Sequence, residues 1–378
     1  MITKQKVLHI ITGLGNGGAE GVLTRLCLNA TCIEHVVISL SDEGKYGSVL
    51  KKGGVNVRSL DMSPSRASPA KIIQLIKWIK DERPDVVQTW MYHGDLLGGI
   101  AAKFAGVDRI FWGIRHSTLD KNNSKRLTRI VAKLCAALSY VIPRKIICCA
   151  EKAREVHGAI GYAKKKLVVI PNGYDLNRFK PDAEAGRKVR AELGIPLATP
   201  LIGMVGRFAA QKDHKTLITA LEICKSEIPN FFCLLVGANI DDKNIDLIEL
   251  IKIAGLGGQV MLGGQRSDIP EVMNALDIHV LSSNGGEGFP NVIAEAMACG
   301  TPCVSTNVGD SKIIMADTGK VCPPNNPTLL AKSIVSLLSE KSDRSDAWLC
   351  RKKSCRDEVK KKYSIDKTVN AFLSVWKN

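Results

Sequence analysis

Short continuous apolar runs recur along the first half of the chain and alternate with segments in which apolar residues return every three or four positions. Continuous apolar runs are typical of strands buried on both faces, and a three-to-four-residue period is typical of helices packed by one side. The predicted strands cover residues 7–11, 35–40, 55–60, 85–90, 109–114, 145–149 and 167–170. A glycine loop at 13–20 precedes the first predicted helix, whose apolar residues lie between 22 and 28. The other predicted helices cover 69–82, 95–105, 124–139 and 151–161.

A second alternation of the same kind begins after residue 178. Its predicted strands cover residues 200–205, 231–236, 260–262, 277–281 and 302–305. Its predicted helices cover 214–227, 244–254, 269–274 and 290–299, and the chain ends in helical patterns at 329–338, 347–363 and 366–376. The pattern therefore predicts two α/β domains in series, each with a doubly wound, largely parallel sheet.

The length of 378 residues agrees with two domains, because single cores stop growing well below that size. We expect a first domain at residues 1–178 and a second at 179–362, with a terminal helix at 363–378 packing back on the first. Ligands of open α/β sheets bind beyond the carboxyl ends of the strands. The loops that follow the strands of both domains are therefore expected to face a shared cleft.

One stretch of the second domain, residues 285–300, combines a glycine turn, a helix start and two carboxylates. Pro290 is expected at the first helical position, and Val292, Ile293, Ala296 and Met297 are expected on the core face. Glu287 precedes the first turn and Glu295 lies in the second, with unpaired N–H groups between them. A helix start of this kind suits a phosphate, although a buried strand–loop–helix joint would have the same sequence.

Two cations follow the first strand of the second domain, Arg207 and Lys212. On a loop at the carboxyl end of a strand they could clamp a diphosphate and stabilise it as a leaving group, or they could be solvated surface charges. His116 closes a strand of the first domain and could touch a substrate, although a lone histidine is more often structural. The glycine loop that holds Gly17 and Gly18 lacks the ribose-binding acid of a dinucleotide site, and no P-loop motif occurs.

The net charge of +16 is concentrated in residues 1–180, which carry 29 Lys and Arg against 14 Asp and Glu. No acidic residue occurs between Lys121 and Ala150, while Lys121, Arg129 and Lys145 belong to a series of cations that alternates with apolar residues. This pattern predicts a basic amphipathic helix for contact with an anionic membrane or a lipid-diphosphate acceptor; a packing helix with a basic outer face is the alternative. Aromatic residues do not interleave with these cations, which disfavours nucleic acid.

The 12 cysteines lie scattered in predicted strands and helices, with no C-x-x-C pair and no histidine at zinc spacing. We interpret them as small core residues of a protein in the reducing cytoplasm. No signal peptide and no membrane-spanning segment is expected, because the best apolar candidate, 130–149, is interrupted by charges and a proline.

Taken together, these motifs resemble family 4 of the retaining glycosyltransferases, which have the two-domain GT-B architecture. The resemblance covers nearly the whole chain. It rests on residues 17–20, the segment 170–175, Arg207 with Lys212, the loop 263–268, and the spacing of Glu287 and Glu295 as E-x7-E.

The resemblance implies a role for each candidate residue. Arg207 and Lys212 would hold the diphosphate of a nucleotide sugar, and Glu295 would bind its ribose. Glu287 and, with a weaker sequence match, His116 would lie near the transferred sugar. Gly17 and Gly18 would approach from the first domain, and the 263–268 loop with Arg266 would border the base. The sugar or distal phosphate would meet the backbone at the start of the helix, formed by Gly288, Phe289, Pro290 and Asn291.

The implied reaction is transfer of a hexose or N-acetylhexosamine, with retention, from a UDP-sugar to a lipid-linked polyprenyl-diphosphate acceptor in surface-polysaccharide biosynthesis. It would need no metal or cofactor, in keeping with the lack of an Asp-x-Asp motif at a strand end. We expect a cytoplasmic protein held peripherally at the inner face of the membrane. A nucleotide-sugar epimerase or hydrolase and a non-catalytic nucleotide-sugar-binding protein remain alternatives on the same architecture. The predicted helix geometry separates Glu287 from Glu295 by more than the roughly 5–5.5 Å of a retaining glycosidase pair.

Overall fold

The computed structural model describes residues 4–62, 68–117, 119 and 126–377. It divides the chain into two compact units, one formed by Met1–Gly173 with Ile365–Asn378 and the other by Tyr174–Ser364. The sequence placed the corresponding boundaries at 178/179 and 362/363.

The first unit is built on a seven-stranded sheet in the order β3-β2-β1-β4-β5-β6-β7, with parallel pairing throughout. The sheet starts in the middle with β1 and extends first to one side and then to the other, which makes it doubly wound. The strands are β1 (Gln5–Ile11), β2 (Ile33–Ser39), β3 (Asn56–Ser59), β4 (Val86–Trp90), β5 (Ile110–Ile114), β6 (Lys145–Cys148) and β7 (Leu167–Val169).

Helices form the crossover connections that parallel pairing of these strands requires. They are α1 (Gly18–Asn29), α2 (Gly44–Lys52), α3 (Pro69–Glu82), α4 (Met91–His93), α5 (Gly99–Phe104), α6 (Arg126–Leu138) and α7 (Glu151–Ala159). A π-helical turn, Gly94–Gly98, joins α4 to α5. Met91, at the start of α4, has a φ of 66°, so the chain leaves β4 through a left-handed residue.

The second unit has a six-stranded parallel sheet in the order β10-β9-β8-β11-β12-β13. Its strands are β8 (Leu201–Val205), β9 (Phe232–Val236), β10 (Val260–Leu262), β11 (Ile278–Leu281), β12 (Cys303–Thr306) and β13 (Lys320–Cys322). Its helices are α8 (Ala183–Glu192), α9 (His214–Glu227), α10 (Ile245–Ile253), α11 (Ile269–Ala275), α12 (Asn291–Ala298), α13 (Ser311–Met315), α14 (Pro327–Asp343) and α15 (Ser345–Lys362).

The last helix, α16 (Ile365–Lys377), belongs to the first unit. Its apolar face places Phe372 and Trp376 in the same buried cluster as Ile11, Trp90 and residues of β2. The Trp376 indole N–H donates to Gln88 Oε1 at 3.1 Å, and Thr368 Oγ1 donates to the carbonyl of Pro171 at 3.1 Å. The helix is thereby held by both apolar burial and satisfied polar groups.

The prediction of two doubly wound α/β domains is confirmed, and α3 and α9 have the predicted bounds. The elements that were not predicted are α2, α4, α8, α13 and β13. They are short or poor in apolar residues: α2 contains two glycines, half of the residues of α8 are charged, and α4, α13 and β13 are three, five and three residues long. The helix predicted at 124–139 corresponds to α6 and the strand predicted at 145–149 to β6. The assignment of the whole basic series to one helix was wrong, because Lys145 begins β6. Lys121 and Lys125 lie outside the described residues.

Candidate functional site

The loop after β8 carries the two cations that the sequence singled out. Arg207 is exposed, and no carboxylate among the described residues lies within 4.0 Å of its guanidinium. Gly237, at the end of β9, has a φ of 154°, and a Cβ there would fall 2.2 Å from the carbonyl oxygen of Gly206. Only glycine allows the ends of β8 and β9 to approach this closely, and the approach fixes where Arg207 leaves the sheet.

Lys212 ends a short 3-10 turn and is followed by Asp213, which caps α9. The Lys212 ammonium lies 2.6 Å from Glu287 Oε1, with 13% and 11% of the two side chains exposed. Ser283 Oγ donates to the same carboxylate oxygen at 2.8 Å. The sequence predicted separate roles for Lys212 and Glu287, and the structure joins them in one mostly buried ion pair.

The loop after β11 is bound to the loop after β8 at several further points. Ser282 Oγ donates to the carbonyls of Lys212 and Asp213 at 2.9 and 3.0 Å, and the Asn284 backbone N–H donates to the Gln211 carbonyl at 3.0 Å. Asn284 Nδ2 also donates to the carbonyl of Ala210. These bonds keep the loops that carry Lys212 and Glu287 next to each other, independently of the ion pair itself. The loop that holds Ser282, Ser283 and Asn284 was expected at the cleft, but no individual role was predicted for them, because short polar loop residues carry no distinctive motif.

Two buried histidines flank Lys212 and contribute no charge at neutral pH. Burial, with the Lys212 charge as a smaller cause, lowers the pKa of His279 to about 3 and that of His214 to about 4. His279 Nε2 accepts a hydrogen bond from the backbone N–H of Val205 at 3.3 Å, as a neutral ring can. Lys212 and Arg207 are thus the positive charges of the 206–213 loop.

Helix α12 begins at Asn291, one residue later than predicted, and Pro290 is its N-cap rather than its first helical residue. Asp310 donates its backbone N–H to the carbonyl of Gly288 at 3.0 Å. Gly309 has a φ of 53°, and a Cβ there would fall 2.3 Å from the Gly288 carbonyl oxygen and 2.7 Å from that of Glu287. Gly309 is therefore a supporting residue that sequence reasoning missed, because a lone glycine in a loop gives no functional signal.

Phe289 and Asn291 are engaged in packing at this helix start. The buried Phe289 ring stacks on Tyr174 at 6.3 Å between centroids and meets the Tyr363 ring edge-on at 5.3 Å. The Tyr174 hydroxyl donates to Asn291 Oδ1 at 2.5 Å. Gly288 and Pro290 are buried as well. The side chains of Phe289 and Asn291 thus anchor the start of α12.

The two faces of α12 agree in most positions with the predicted pattern. Ile293, Ala296 and Met297 are fully buried, as expected for the core face, whereas Val292, predicted on the same face, is only partly buried. Glu295 is partly buried, and its charge is one of the causes that raise the pKa of Cys299, after burial.

Arg266, which was expected to border a nucleotide base, is engaged by two carboxylates. Its Nη1 and Nη2 donate to Glu192 at 2.7 and 3.1 Å, and its Nε donates to Asp268 at 2.9 Å. Hydrogen bonds from Arg266 hold the pKa values of Glu192 and Asp268 below their usual range. In this arrangement the guanidinium links α8 to the loop before α11.

In the first unit, Gly17 is the N-cap of α1 and Gly18 its first residue. The Glu20 carboxylate lies against Gly17, since a Cβ at that position would fall 2.3 Å from Glu20 Oε2. Burial raises the pKa of Glu20. A carboxylate at this helix start accepts hydrogen bonds from hydroxyl groups and repels a phosphate, so the chemistry of the α1 start favours a sugar over a diphosphate.

His116 follows β5 and is half-buried. Burial, with the charge of His116 as a smaller cause, lowers the pKa of His157 to about 4. The preceding residue, Arg115, donates from Nη1 to Asn172 Oδ1 at 3.0 Å and lies over the Trp90 ring. The loop after β4, also expected at the site, instead turns a carboxylate inward: Asp95 is fully buried and accepts from Thr89 Oγ1 at 2.5 Å and from the Gly113 N–H at 3.1 Å.

A cluster of His9, Cys27 and His35 has ligand atoms within 4.8 Å of one another, although the sequence showed no histidine at zinc spacing. The Trp90 indole N–H donates to His9 Nδ1 at 3.2 Å, so His9 Nε2 carries the proton and donates to His35 Nδ1 at 2.9 Å. His35 Nε2 in turn donates to the Ala30 carbonyl at 3.2 Å. Burial raises the pKa of the Cys27 thiol. This cluster is a hydrogen-bonded chain of neutral rings, with no ring lone pair left for a metal.

Helix α6 exposes apolar side chains on its outer face. Leu127, Ile130 and Leu134 are 51%, 47% and 49% exposed, while Val131 and Cys135 pack inward. Arg126 and Lys133 lie exposed beside them. Among the helices in the described part of the chain, none combines the length and the apolar character needed to cross a membrane.

Two family patterns match the chain in series. Residues 16–178 match Glycosyltransferase Family 4, and residues 186–348 match Glycosyl transferases group 1. Similar proteins include the UDP-Gal:alpha-D-GlcNAc-diphosphoundecaprenol alpha-1,3-galactosyltransferase of Escherichia coli, 26% identical over 81% of this chain and 78% of its own length. Another is the N,N'-diacetylbacillosaminyl-diphospho-undecaprenol alpha-1,3-N-acetylgalactosaminyltransferase of Campylobacter jejuni, 26% identical over 71% and 72%.

Solved structures share the fold over nearly the full chain. HepE of Anabaena, solved in complex with UDP, superposes with a TM-score of 0.86 at 20% identity and covers 99% of this chain and all of its own. Sucrose-phosphate synthase of Thermosynechococcus elongatus gives a TM-score of 0.80 at 19% identity and covers 99% and 98%. With one family pattern on each half and this shared architecture, the chain belongs to the family 4 type of GT-B glycosyltransferases.

Proposed function

We propose that the protein transfers a hexose or N-acetylhexosamine from a UDP-sugar to a polyprenyl-diphosphate-linked acceptor in surface-polysaccharide biosynthesis. The observation that carries the donor half is the placement of Arg207 and the Lys212–Glu287 pair at the carboxyl end of β8. The Escherichia coli and Campylobacter jejuni relatives, whose names specify undecaprenol-diphosphate acceptors, support the acceptor half.

In this proposal two cations, Arg207 and Lys212, share the binding of the donor diphosphate. Arg207 has no carboxylate partner among the described residues and is exposed, so its fork is available for a diphosphate. Lys212 shares its charge with Glu287. A diphosphate that reaches Lys212 therefore competes with, or bridges to, a carboxylate that is already in place.

Glu287 and Glu295 take the hydroxyl-bearing ends of the donor in this proposal. A carboxylate fixed by Lys212 and Ser283 is a rigid acceptor for sugar hydroxyls near the reacting carbon. Glu295, one turn into α12, accepts from the ribose, and the first N–H groups of α12 meet the sugar or the distal phosphate.

The proposed reaction retains the configuration of the sugar. The acceptor hydroxyl attacks the anomeric carbon as the bond to the UDP oxygen breaks, and the departing phosphate takes the acceptor proton. Charge accumulates on that phosphate, and Arg207 and Lys212 stabilise it, which is why no divalent metal is needed in this scheme.

A donor experiment separates this proposal from donor processing without transfer. UDP-, GDP- and ADP-sugars are incubated with and without a polyprenyl-diphosphate sugar, and nucleotide release, product and anomeric configuration are followed by chromatography and NMR. We expect acceptor-dependent release of UDP, an α-linked product from an α-linked donor, and equal rates with EDTA. Release without acceptor would identify a hydrolase or epimerase, and binding without turnover would identify a binding protein.

We also propose a peripheral contact of α6 with the anionic inner face of the cytoplasmic membrane. Exposed apolar residues flanked by cations on one helix face are typical of a surface that lies at the lipid headgroups. The apolar side chains would enter the headgroup layer, while Arg126 and Lys133 would meet lipid phosphates.

Vesicle sedimentation tests this contact. The Ile130→Ser/Leu134→Ser double variant should lose at least tenfold in binding to phosphatidylglycerol vesicles, and 0.5 M salt should weaken the binding of the wild type. Ile253→Ser, at an apolar position on α10 that is 76% exposed and so more exposed than Ile130 or Leu134, is the control and should bind as the wild type does. Equal binding of the double variant and the control would contradict the assignment to α6.

A further inference from the structure

Arg115 occupies an unusual position for a charged side chain. It follows β5 directly, and its Cζ lies 4.5 Å from the centroid of the Trp90 ring and 5.7 Å from that of Phe372. The two rings are themselves 5.9 Å apart at an interplanar angle of 25°. The guanidinium is thus packed against one aromatic ring from the end of β4 and one from α16.

Arg115 makes few hydrogen bonds for a guanidinium group. Nη1 donates to Asn172 Oδ1, whereas Nε and Nη2 are buried without an acceptor among the described residues. No carboxylate in that part of the chain forms an ion pair with it. Contacts with two rings and one hydrogen bond to an amide therefore hold the side chain. These contacts fix the orientation of the guanidinium plane rather than neutralise its charge.

The rings that hold Arg115 are themselves fixed. The Trp90 indole is oriented by its bond to His9, and Phe372 is fully buried on a helix secured by Trp376 and Thr368. The conformation of residue 115 is consequently determined by three elements: β4, β5 and α16. The residue that follows is His116, where the chain leaves the sheet.

We propose that Arg115 is a positioning residue: its guanidinium, stacked on Trp90 and Phe372, fixes the direction in which His116 is presented to the substrate. This inference rests on the proposed function, in which His116 lies near the transferred sugar. It gives α16, which does not carry a predicted site residue, an indirect role in the transfer step. Arg115 acts through His116 and touches no reacting atom in this scheme.

Substitutions separate planarity from charge. Arg115→Lys keeps the charge and loses the planar stack, so we expect kcat for transfer to fall at least tenfold, nearly as far as in Arg115→Met. Phe372→Leu should lower kcat about fivefold, and Phe372→Tyr, which restores a ring, should stay within twofold of the wild type. The Kd for UDP should change less than twofold in all of them, because Arg207, Lys212 and Glu295, which are proposed to bind UDP, lie in the other unit.

Coupling measurements exclude a general loss of folding as the cause. In an His116→Ala background, Arg115→Lys should lower the residual kcat less than twofold, and Arg115→Met with Phe372→Leu should be no worse than Arg115→Met alone. Leu75→Val, a substitution in the buried core on α3, is the control that lowers Tm without touching Arg115 or His116. Wild-type kcat in Arg115→Lys, independent effects in the double variants, or an equal kcat loss in a Tm-matched control would overturn the inference. A wild type with no transferase activity would instead reject the proposed function.

Discussion

At the scale of single residues, the Lys212–Glu287 pair determines the electrostatics of the proposed donor site. A lysine without the glutamate would attract the diphosphate strongly, and a glutamate without the lysine would repel it. Together, at 2.6 Å and mostly buried, they are close to neutral before a ligand arrives. Ser283 and the bonds of Ser282 keep the pair in place, so little reorganisation is needed on binding.

Breaking this pair should separate affinity from turnover. In Glu287→Gln the repulsion between carboxylate and diphosphate disappears and Lys212 is released, so UDP should bind two- to tenfold more tightly. The kcat for transfer should nevertheless fall more than tenfold, because the sugar loses its charged acceptor. Calorimetric titration with UDP and initial-rate kinetics measure the two effects.

The reciprocal variants supply the control. Lys212→Met leaves a mostly buried carboxylate without its cation and should cost about 1–3 kcal/mol of unfolding free energy, and adding Glu287→Gln should recover part of that loss. Weaker UDP binding by Glu287→Gln than by the wild type would contradict the competition between carboxylate and diphosphate.

Gly309 provides a second test at a single residue. Its positive φ and the 2.3 Å approach of a Cβ to the Gly288 carbonyl predict that Gly309→Ala displaces the backbone of 287–288. We expect a loss of at least tenfold in UDP-sugar affinity and of about 1–3 kcal/mol in stability. Gly255→Ala is the matched control, because Gly255 has a φ of 63° with open space around its Cβ position. Equal loss of affinity in both variants would show that strain alone, rather than the contact with 288, is responsible.

At the scale of elements, the connection from β4 to α5 contains a fully buried carboxyl group, that of Asp95. Burial raises the pKa of Asp95 to about 8, and its Oδ2 has no partner among the described residues. The folded state therefore retains a proton that the unfolded chain releases above about pH 4. Stability from this group is present at low pH and declines as the pH rises through 4 to 8.

Asp95→Asn should remove that dependence. The amide keeps an oxygen for Thr89 and the Gly113 N–H and adds no charge, so the variant should gain about 1–3 kcal/mol over the wild type at pH 8 and less at pH 5. Urea unfolding at the two pH values measures the difference. A variant less stable than the wild type at pH 8 would show that Asp95 is held ionised by a partner.

The elements themselves were largely predictable, and the limits have physical causes. Continuous apolar runs identify β8 and β9, because strands buried on both faces have no polar side. The π-helical turn Gly94–Gly98 overlaps the helix predicted at 95–105, but its π form was not predicted, because bonding from residue i to i+5 produces no distinctive sequence period over one turn. Pro290 was placed inside the helix because its fixed φ suits the first turn, but its ψ of 94° is extended.

At the scale of the molecule, the site was predictable as a set of loops but not as a set of contacts. The carboxyl-end rule brings the 206–213 and 282–288 loops together, because β8 and β11 are neighbours in the sheet. It does not say that Lys212 meets Glu287, that Arg266 is engaged by Glu192, or that Glu20 covers Gly17. Those pairings depend on side-chain rotamers and join residues that are distant in sequence; Glu192 and Arg266, for example, have a sequence separation of 74.

The buried histidines of both units predict a molecule that is sensitive to acid. Burial lowers the pKa of His35, His157 and His214 to about 4 and that of His279 to about 3, and His9 is lowered as well. Each ring titrates near 6.5 when unfolded, so between pH 6.5 and 4 the unfolded chain binds more protons. Stability contributed by these neutral rings is present above pH 6.5 and is lost as the pH falls, with the single proton of Asp95 acting in the opposite sense.

We therefore expect the unfolding free energy to fall by at least about 2 kcal/mol between pH 7 and pH 5. Unfolding in urea at several pH values measures the proton uptake from the slope, and four of the five tryptophans, Trp78, Trp90, Trp112 and Trp376, report on the first unit by fluorescence. His35→Asn should reduce that slope by up to one proton in the tryptophan signal, whereas His279→Asn, in the second unit, should leave it unchanged. Rising stability toward pH 5 would mean that the rings accept protons in the folded state, and the neutral chain from Trp90 through His9 to the Ala30 carbonyl would then be wrong.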